Sequence, residues 1–544
     1  MPLHYRFFLV ASIICALLVA APILTVFLHA MAPTELIFHL YNTLLPTYIS
    51  NTILLIIGVT LGTGSIGVGT AWLVTMCRFP GRCIMEWALV LPLAAPTYVL
   101  AYAYANFLEH AGPVQELLRQ MFYLKPRDYW FPEIRSLGGV IVMLTITLFP
   151  YVYLLARAAF LEQSVCVIEV SRTLGKTPVQ TFMRIALPLA RPAIAAGIAL
   201  AVMETLADYG TVSYFGVQTF TTGVYLAIFS FGDRVAAAQL ASGLLIFVII
   251  VIFMERISRG RQRFDHTTNI YRKLPIFRLS KMKAAGALTA CALPVFLGFL
   301  LPTILLIHMT TTNGHKVFGI RYITMTINSA TLAGITSVLA VFISLLMAYT
   351  NRLSKDSCTI LLSKLAALGY AVPSSVIAIG ILIPISLFDR CVDDATRHIL
   401  GLSTGLLMSG SAVSLIYAYL VRFLAVSLHT IEAGMTKITP NMDKAAQVLG
   451  NSPRSILKRV HLPMLRSSLL TATLIVFVDV MKELPATMIL RPFNFNTLAV
   501  QAHNLAADER ISQAATPSLT ILVVGLLPVI LLSWHISKSR TLCQ

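Results

Sequence analysis

The chain has 544 residues, of which 57% are hydrophobic and only 12% are charged, and its formal net charge is +18. A soluble domain carries roughly 25% charged residues, so this composition excludes an ordinary soluble protein. It is typical of a polytopic helical protein that lies in a lipid bilayer. The basic excess does not indicate nucleic acid as a partner, because Lys and Arg also mark the cytoplasmic side of membrane proteins.

Apolar runs of membrane length recur along the whole chain. A helix of about 20 apolar residues spans a bilayer, and by that criterion the sequence predicts an all-α polytopic membrane protein with about 12 transmembrane helices. The predicted spans are 7–31, 50–76, 86–108, 137–160, 190–213, 236–254, 284–308, 325–350, 359–387, 403–425, 467–490 and 516–536. The first is longer than the apolar core of a secretory signal, so we expect an uncleaved helix.

The distribution of Lys and Arg predicts the orientation of these spans. With a cytoplasmic N-terminus, 26 of the 41 basic residues lie in inside segments and 11 in outside loops. The positive-inside rule therefore favours cytoplasmic N- and C-termini. Of the eight cysteines, only Cys391 would lie in an outside loop, so no disulfide framework is expected.

Two polar inserts between apolar runs match each other. "SRTLGKTPVQTFMRIALPLARPAI" begins at Ser171 and "AQVLGNSPRSILKRVHLPMLRSSL" begins at Ala446, an offset of 275 in the numbering. Further pairs, at offsets of 275 or 277, are Asp208 and Glu483, Thr222 and Thr497, Asn51 and Asn328, and Pro96 and Pro373. The chain is therefore predicted to be two tandem six-helix halves in the same orientation, residues 1–258 and 284–544. The segment 259–283 between them is a basic cytoplasmic linker.

Each insert is predicted to form a helix–turn–helix on the cytoplasmic face. In the first copy, Gly175 permits a sharp break and Pro178 stands near the start of a new helix. Leu187-Pro188 is expected to end that helix before the next span. An interfacial helix lying on the lipid is the alternative, but two copies in one register favour docking surfaces for a two-fold partner.

The spacing inside both inserts resembles the cytoplasmic signature of permeases of importer-type ATP-binding cassette transporters. That signature is Glu-Ala-Ala, three residues, Gly, nine residues, Ile, one residue and Leu-Pro. The matching residues of the first copy are Glu169, Ser171, Gly175, Ile185, Leu187 and Pro188. Those of the second copy are Lys444, Ala445, Ala446, Gly450, Val460, Leu462 and Pro463.

The resemblance covers both halves and implies transmembrane type-1 cores at about 47–254 and about 325–534. It also implies that each insert is a coupling loop that docks a separate ATPase subunit, present in two copies. The second copy departs from the signature, because Lys444, preceded by Asp443, stands at the acid position. The two docking sites are therefore expected to be electrostatically unequal.

Two other stretches resemble the fused permeases of ferric-iron importers. They are "METLADYGTVSYFGVQTFTTGVY" (203–225) and "DVMKELPATMILRPFNFNTLAVQAHNLAADERISQAA" (479–515). The resemblance implies transport of ferric iron delivered by a periplasmic binding protein, in the bacterial inner membrane and without a cofactor. Related fused permeases carry thiamine or phosphonate compounds, so these substrates stay open.

Four acidic residues within or at the ends of predicted spans are candidates for a translocation path. They are Glu204, Asp208, Asp479 and Glu483. Each pair is spaced four apart, on one helix face, and an intramembrane acid usually faces a bundle interior or an aqueous path. Ferric iron prefers hard oxygen ligands. The alternative is that Asp208 and Glu483 lie at outer helix ends, in water or paired with Lys482 or Arg491.

Other function classes have weaker support. Gly175-Lys176-Thr177 ends like a phosphate-binding loop, but Val170 stands where that motif needs glycine, so ATP hydrolysis is expected on a partner chain. The sequence shows no arrangement of catalytic residues and no metal-ligand spacing, so we expect neither enzymatic activity nor a metal site in this chain. A secondary transporter of the major facilitator plan also has two parallel halves. However, "CRFPGRC" lacks the acidic–basic signature of that family.

A GxGxxG pattern inside the second predicted span is also not a nucleotide site. Gly62, Gly64 and Gly67 form it, and no strand–turn–helix unit surrounds them. Small residues in a span are expected to let neighbouring helices approach closely.

Overall fold

The computed structural model describes residues 3–32, 40, 42–125, 128–162, 171, 173–259, 277–312, 319–354, 356–436 and 438–539. Within these residues almost all regular structure is helical. Eleven helices are long and apolar enough to cross a membrane, and a twelfth crossing results if the bent pair Arg82–Ala94 and Thr97–Phe122 is one span. The prediction of an all-α polytopic protein with about twelve spans is confirmed.

The described elements before the basic linker are almost all helices. They are α1 (Leu3–Ala30), α2 (Leu45–Met76), β1 (Cys77–Arg78), α3 (Arg82–Ala88), α4 (Thr97–Leu108), α5 (Pro113–Phe122), α6 (Leu137–Glu162), α7 (Pro178–Thr181), α8 (Leu187–Ala207), α9 (Gly210–Tyr214), α10 (Phe220–Phe229) and α11 (Arg234–Arg259).

The described elements after the linker follow a similar order. They are β2 (Phe277–Arg278), α12 (Lys281–Val295), α13 (Leu301–Thr312), α14 (Ile320–Ser354), α15 (Ser357–Ala367), α16 (Ser374–Leu400), α17 (Ala412–Met435), α18 (Pro440–Val448), α19 (Pro453–Ile456), α20 (Leu462–Met481), α21 (Pro485–Leu490), α22 (Leu498–Ala507) and α23 (Ile511–Ser539). The tenth predicted span, 403–425, is displaced, because its helix α17 begins only at Ala412, where Ser411 caps it.

The internal repeat extends to the irregular parts of the helices. Short 3₁₀ turns at Leu91–Ala94 and Leu368–Ala371 are related by the repeat offset of 277, and each is followed by a proline, Pro96 or Pro373, that caps the next helix. A hydrogen bond also recurs. The amide of Asn51 donates to the Gln218 carbonyl oxygen at 2.8 Å, and that of Asn328 donates to the Asn496 carbonyl oxygen at 3.2 Å. These two acceptors are 278 positions apart, so the predicted offset of 275 does not hold at this point of the chain. The tandem repeat read from the sequence is therefore present in the backbone.

The helices form two compact units, each drawn from both halves of the chain. One contains Met1–Leu44, Phe220–Leu245 and Lys316–Asn504, and in it α1 packs against α14, α15 and α16. The other contains Leu45–Thr219, Ile246–His315 and Leu505–Gln544, and in it α12 packs against α2 and α3. The first helix of each half thus lies on the core of the other half.

Close helix packing in the second unit depends on two of the predicted glycines. A Cβ atom on Gly62 would lie 2.5 Å from Thr145 Oγ1, and one on Gly67 would lie 2.7 Å from Val152 Cβ. Both glycines are on α2, and the residues they meet are on α6. The expectation that small residues allow close packing here is confirmed.

The end of the basic linker is tied to the end of α2. Residues 260–276 lie outside the described part of the chain, but β2 pairs in parallel with β1, which joins Phe277 to Cys77. The Phe277 ring also lies 6.2 Å from the Trp72 ring. Nearby, Cys83 is disulfide-bonded, so the expectation of no disulfide is wrong at this cysteine.

Packing of α2 against α6 should depend on Gly67 and not on its neighbour Gly69. A Cβ on Gly67 would also lie 2.9 Å from the Phe149 carbonyl oxygen, whereas a Cβ on Gly69 meets nothing within 4 Å. We expect Gly67→Ala to lower the free energy of unfolding in detergent by about 1–3 kcal/mol, as overpacking does. The matched variant Gly69→Ala should be neutral or stabilising, and equal losses from both variants would contradict this packing.

Candidate functional site

The first predicted coupling loop turns at a left-handed glycine. Gly175 has φ +68°, and the Lys176 amide donates to the Ser171 carbonyl oxygen at 3.1 Å. This hydrogen bond across the turn is the one that closes a Schellman motif, in which glycine avoids the cost of a Cβ at positive φ. The sharp break predicted at Gly175 is confirmed. Glu169 lies outside the described residues.

The second predicted coupling loop repeats this turn. Gly450 has φ +77°, and the Asn451 amide donates to the Ala446 carbonyl oxygen at 3.1 Å. The Gly450 amide donates to the Gln447 carbonyl oxygen at 2.9 Å, which is the second hydrogen bond of the motif. Lys444, Ala445 and Ala446 lie on α18, the helix that the turn ends.

Polar side chains start the helix that follows each turn. Thr177 and Gln180 form a reciprocal cap: the Thr177 amide donates to Gln180 Oε1 at 3.2 Å, and the Gln180 amide donates to Thr177 Oγ1 at 3.3 Å. In the second loop, Ser452 Oγ accepts from the Ser455 amide at 3.4 Å. These caps satisfy amides that a helix leaves unpaired at its start. Proline, which has no amide hydrogen, occupies the first helical position in both loops, at Pro178 and Pro453.

The Leu-Pro pair of each loop does not end this helix, contrary to our expectation. The helix continues from α7 into α8 and from α19 into α20, through π-helical turns at Phe182–Ala186 and Leu457–His461. Leu187 and Leu462 donate their amides five residues back, to Phe182 and Leu457. The wider turn shifts the carbonyls with which a proline ring would clash, so Pro188 and Pro463 are accommodated. The remaining motif residues, Ile185 and Val460, lie in these π-helical turns.

The two turns present equivalent apolar side chains to their surroundings. Leu174 is 70% exposed, and its equivalent in the second copy, Leu449, is 80% exposed. Behind them, Ser171 is 1% exposed and bonded through its hydroxyl to Thr181 at 2.8 Å, and Ala446 is also buried. Each turn therefore has a small, buried inner residue and an exposed leucine at its tip. The two exposed leucines stand at matching positions of the repeat.

Different side chains support the two turns from behind. Trp72 packs on Phe182 at 5.0 Å between ring centroids. The equivalent of Trp72 in the second half is Tyr349, whose hydroxyl donates to the Pro453 carbonyl oxygen at 2.7 Å. Arg352 and His461, which the sequence analysis did not single out, both contact Asp443.

Asp208 stabilises a break at the far end of α8. Its carboxylate accepts hydrogen bonds from the Thr211 amide at 2.9 Å, the Val212 amide at 3.2 Å and the Thr211 hydroxyl at 2.9 Å. The Thr97 hydroxyl, at the start of α4, donates to the same carboxylate at 2.5 Å. Asp208 thus caps α9 and joins it to α4, so the predicted continuous span 190–213 is wrong beyond Ala207.

Glu483 performs the equivalent task in the second half. Its carboxylate accepts from the Ala486 amide at 3.0 Å, the Thr487 amide at 3.1 Å and the Thr487 hydroxyl at 2.7 Å, and the residue is 6% exposed. The predicted span 467–490 is likewise broken, because α20 ends at Met481 and α21 begins at Pro485. Capping by the acid explains why the main chain can leave helical geometry here.

The other two candidate acids lie one turn earlier and have different surroundings. Glu204 is half-buried on α8. Asp479 is half-buried on α20, and its carboxylate lies 2.8 Å from Lys482 Nζ. Arg491, the other predicted partner of Glu483, donates to the Asn496 side chain. Within the described residues no group of three or more His, Cys, Asp or Glu is arranged to hold a metal ion.

The α4 and α16 helices start next to opposite charges. Ser374 is related to Thr97 by the repeat offset and stands at the start of α16. Its hydroxyl accepts from Arg422, a buried residue of α17, whereas Thr97 donates to Asp208. The starts of α4 and α16 thus share backbone geometry, but their first side chains contact residues of opposite charge, Asp208 and Arg422.

Loss of the Asp208 cap should destabilise the protein more than loss of the Asp479 ion pair. Asp208→Ala leaves several buried donors without an acceptor, so we expect a loss of at least about 2 kcal/mol in the free energy of unfolding. Asp208→Asn keeps one acceptor oxygen and should lose less. Asp479→Ala should cost about 1 kcal/mol or less, because partly exposed ion pairs contribute little. Denaturation in detergent measures all three, and a smaller loss for Asp208→Ala than for Asp479→Ala would contradict the cap.

Comparison with known proteins identifies the family. The family model described as binding-protein-dependent transport system inner membrane component matches residues 3–263 and 340–540. Fe(3+)-transport system permease protein FbpB 2 of Haemophilus influenzae is 26% identical over 546 residues, 99% of this chain and 100% of that protein. Ferric transport system permease protein FbpB of Actinobacillus pleuropneumoniae is 21% identical over 94% of this chain and 74% of its own length. Sulfate transport system permease protein CysT of Salmonella typhimurium is 28% identical over 35% of this chain and 68% of its own length. The chain is therefore a multi-pass inner membrane protein that belongs to the family of binding-protein-dependent transport system inner membrane components.

Proposed function

We propose that this chain is the permease subunit of an ATP-binding cassette importer for ferric iron. The observation that carries the proposal is the pair of Schellman turns at Gly175 and Gly450, each with an exposed leucine at its tip. Two turns of the same backbone geometry on the side predicted to be cytoplasmic suit two copies of one ATPase subunit. The relatives named for ferric transport match along nearly the whole chain, whereas the sulfate permease matches 35% of it.

The partners follow from this assignment. An ATPase subunit would seat the tips Leu174 and Leu449, together with the neighbouring motif residues, in grooves of its own surface. A periplasmic binding protein would deliver ferric iron to the opposite side of the membrane. The chain itself supplies no complete phosphate-binding loop, so ATP hydrolysis belongs to the partner subunit.

The continuous helices give a physical route from the docking turns to the helix breaks. The segments Val179–Ala207 and Pro453–Met481 each have 29 residues, which corresponds to roughly 44 Å of helix. Each begins just after a docking turn and ends at a capping acid, Asp208 or Glu483. A displacement of the turn by the ATPase would therefore reach the break along one rigid element.

We further propose that the four acids serve the translocation path. Carboxylate oxygens suit a hard trivalent cation, and acids at membrane depth are usually placed for function. Asp208 and Glu483 stand at breaks in their helices, where capping bonds can be exchanged for a ligand when the helix moves. Glu204 and Asp479 lie one turn before them, on the same helices.

Reconstitution tests the function itself. The purified chain in liposomes, with its ATPase and binding protein, should take up ferric iron only when ATP is present. The chain without the ATPase should show no ATP turnover. Uptake of thiamine or a phosphonate in place of iron would show that the assignment of substrate is wrong. ATP hydrolysis by the chain alone would contradict the proposal that a partner subunit hydrolyses ATP.

The path is tested by the double variant Asp208→Asn, Glu483→Gln at matched membrane levels. We expect iron uptake to fall at least about tenfold, because two acceptor charges are lost on the route of a cation. The control is Asp233→Asn, since Asp233 also caps a helix, at the Val235 and Ala236 amides, but is not a path candidate. Unchanged uptake in the double variant would mean that these acids are only caps.

The two docking turns should respond differently to charge. Glu169→Lys places a cation where an acid can complement the groove of the ATPase, so assembly with the ATPase should weaken. Lys444→Glu restores the acid of the family signature and should be neutral or favourable. Copurification of the ATPase with each variant measures this difference, and equal losses from the two substitutions would contradict it.

A further inference from the structure

An arginine at the end of α14 holds the chain that leads into the second docking turn. Arg352 Nε lies 2.7 Å from Asp443 Oδ2 on α18. Its guanidinium also donates to the Met435 carbonyl oxygen at 3.0 Å and to the Ile438 carbonyl oxygen at 2.8 Å. Those carbonyls belong to the end of α17 and to the connection from α17 to α18. One side chain therefore binds three consecutive elements together.

Asp443 has a second partner on the helix that follows the turn. His461 Nε2 lies 2.8 Å from Asp443 Oδ1, and the His461 side chain is fully buried. The ring of Tyr349, one turn before Arg352, lies edge-on to the His461 ring at 5.3 Å. The Asp443 carboxylate thus connects the helix before the turn, the helix after it and α14.

We propose that Arg352, Asp443 and His461 form a clamp that sets the position of the second docking turn, and this rests on the proposed function. The acid beside the family signature is turned inward, onto Arg352 and His461, while Lys444 takes the signature position. The three residues then act as positioning residues for coupling to the ATPase. They hold α18 and α20 to α14, so that the turn at Gly450 moves together with its membrane helices.

The first half of the chain lacks the residues for such a clamp. At the offsets of the repeat, Arg352, Asp443 and His461 correspond to Thr75, Ile168 and Ala186. The first turn instead has the aromatic contact of Trp72 with Phe182 behind it. The geometry of the turns is duplicated, but the three clamp residues have no charged counterparts at the repeat offsets.

The ion pair of Arg352 with Asp443 is buried enough that its loss should have a measurable effect. The side chains of Arg352 and Asp443 are 16% and 22% exposed. Removing one partner of such a pair leaves the other charge poorly compensated, which costs more than an exposed pair contributes. A variant that weakens the clamp should therefore leave the second turn in several positions instead of one.

The test uses the full chain assembled with its ATPase in liposomes. We expect Asp443→Asn and Arg352→Gln each to weaken ATPase binding about tenfold, the scale of one lost charge-assisted contact, and to raise the ATP hydrolysed per ion transported. Arg352→Lys keeps the charge and should recover part of both. The matched control is Arg397→Gln, which removes an arginine that pairs with Asp393 at 2.8 Å in the same compact unit.

The possible outcomes distinguish three cases: loss of the clamp, a general loss of folding, and failure of the proposed function. Lower protein levels or a lower Tm with unchanged ATPase affinity and unchanged coupling in the folded fraction would overturn the clamp. Equal effects from Arg397→Gln would overturn it as well. If the unaltered chain binds no ATPase, the proposed function fails. In that case, the clamp is still testable by the rate of thiol labelling at Leu449→Cys, measured with and without the additional substitution Asp443→Asn. An unchanged labelling rate would show that the clamp does not fix the turn.

Discussion

Backbone hydrogen bonding inside a bilayer is the constraint on which this structure depends. In the absence of water, a helix can end or bend only if other groups form hydrogen bonds with its free amides and carbonyls. In this chain the side chains of Asp208 and Glu483 accept the amides of the next helical turn at such breaks. The first role of these acids is therefore to accept hydrogen bonds from main-chain amides. A role in binding a cation has to use carboxylates that already make these hydrogen bonds.

The repeat shows that the same backbone geometry is surrounded by different side chains in the two halves. The turns at Gly175 and Gly450 both have a glycine at positive φ and the same hydrogen bond across it, and both are followed by a π-helical turn. These features depend on backbone geometry, which one glycine and one proline per turn can preserve. The groups that surround the frame have diverged: Trp72 corresponds to Tyr349, and Thr75 to Arg352.

Much of this architecture could be predicted from the sequence because its signals are local. Spans follow from apolar length, the turns from Gly175 and Gly450, and the repeat from constant offsets. The continuation of the helix past Leu187-Pro188 could not be predicted, since the accommodating π-helical turn depends on hydrogen-bond register and not on residue type. The contact of Arg352 with Asp443 joins residues 91 apart, and no local pattern marks it. The breaks at Asp208 and Glu483 were missed because both lie in runs that are apolar enough to span the membrane.

Asymmetry between the halves lies in the side chains that surround equivalent backbone features. Asp443 is held between Arg352 and His461 before the second turn. The Ser374 hydroxyl at the start of α16 accepts from Arg422, whereas the Thr97 hydroxyl at the start of α4 donates to Asp208. The inequality of the two halves is thus built into the side chains and not into the shared backbone geometry.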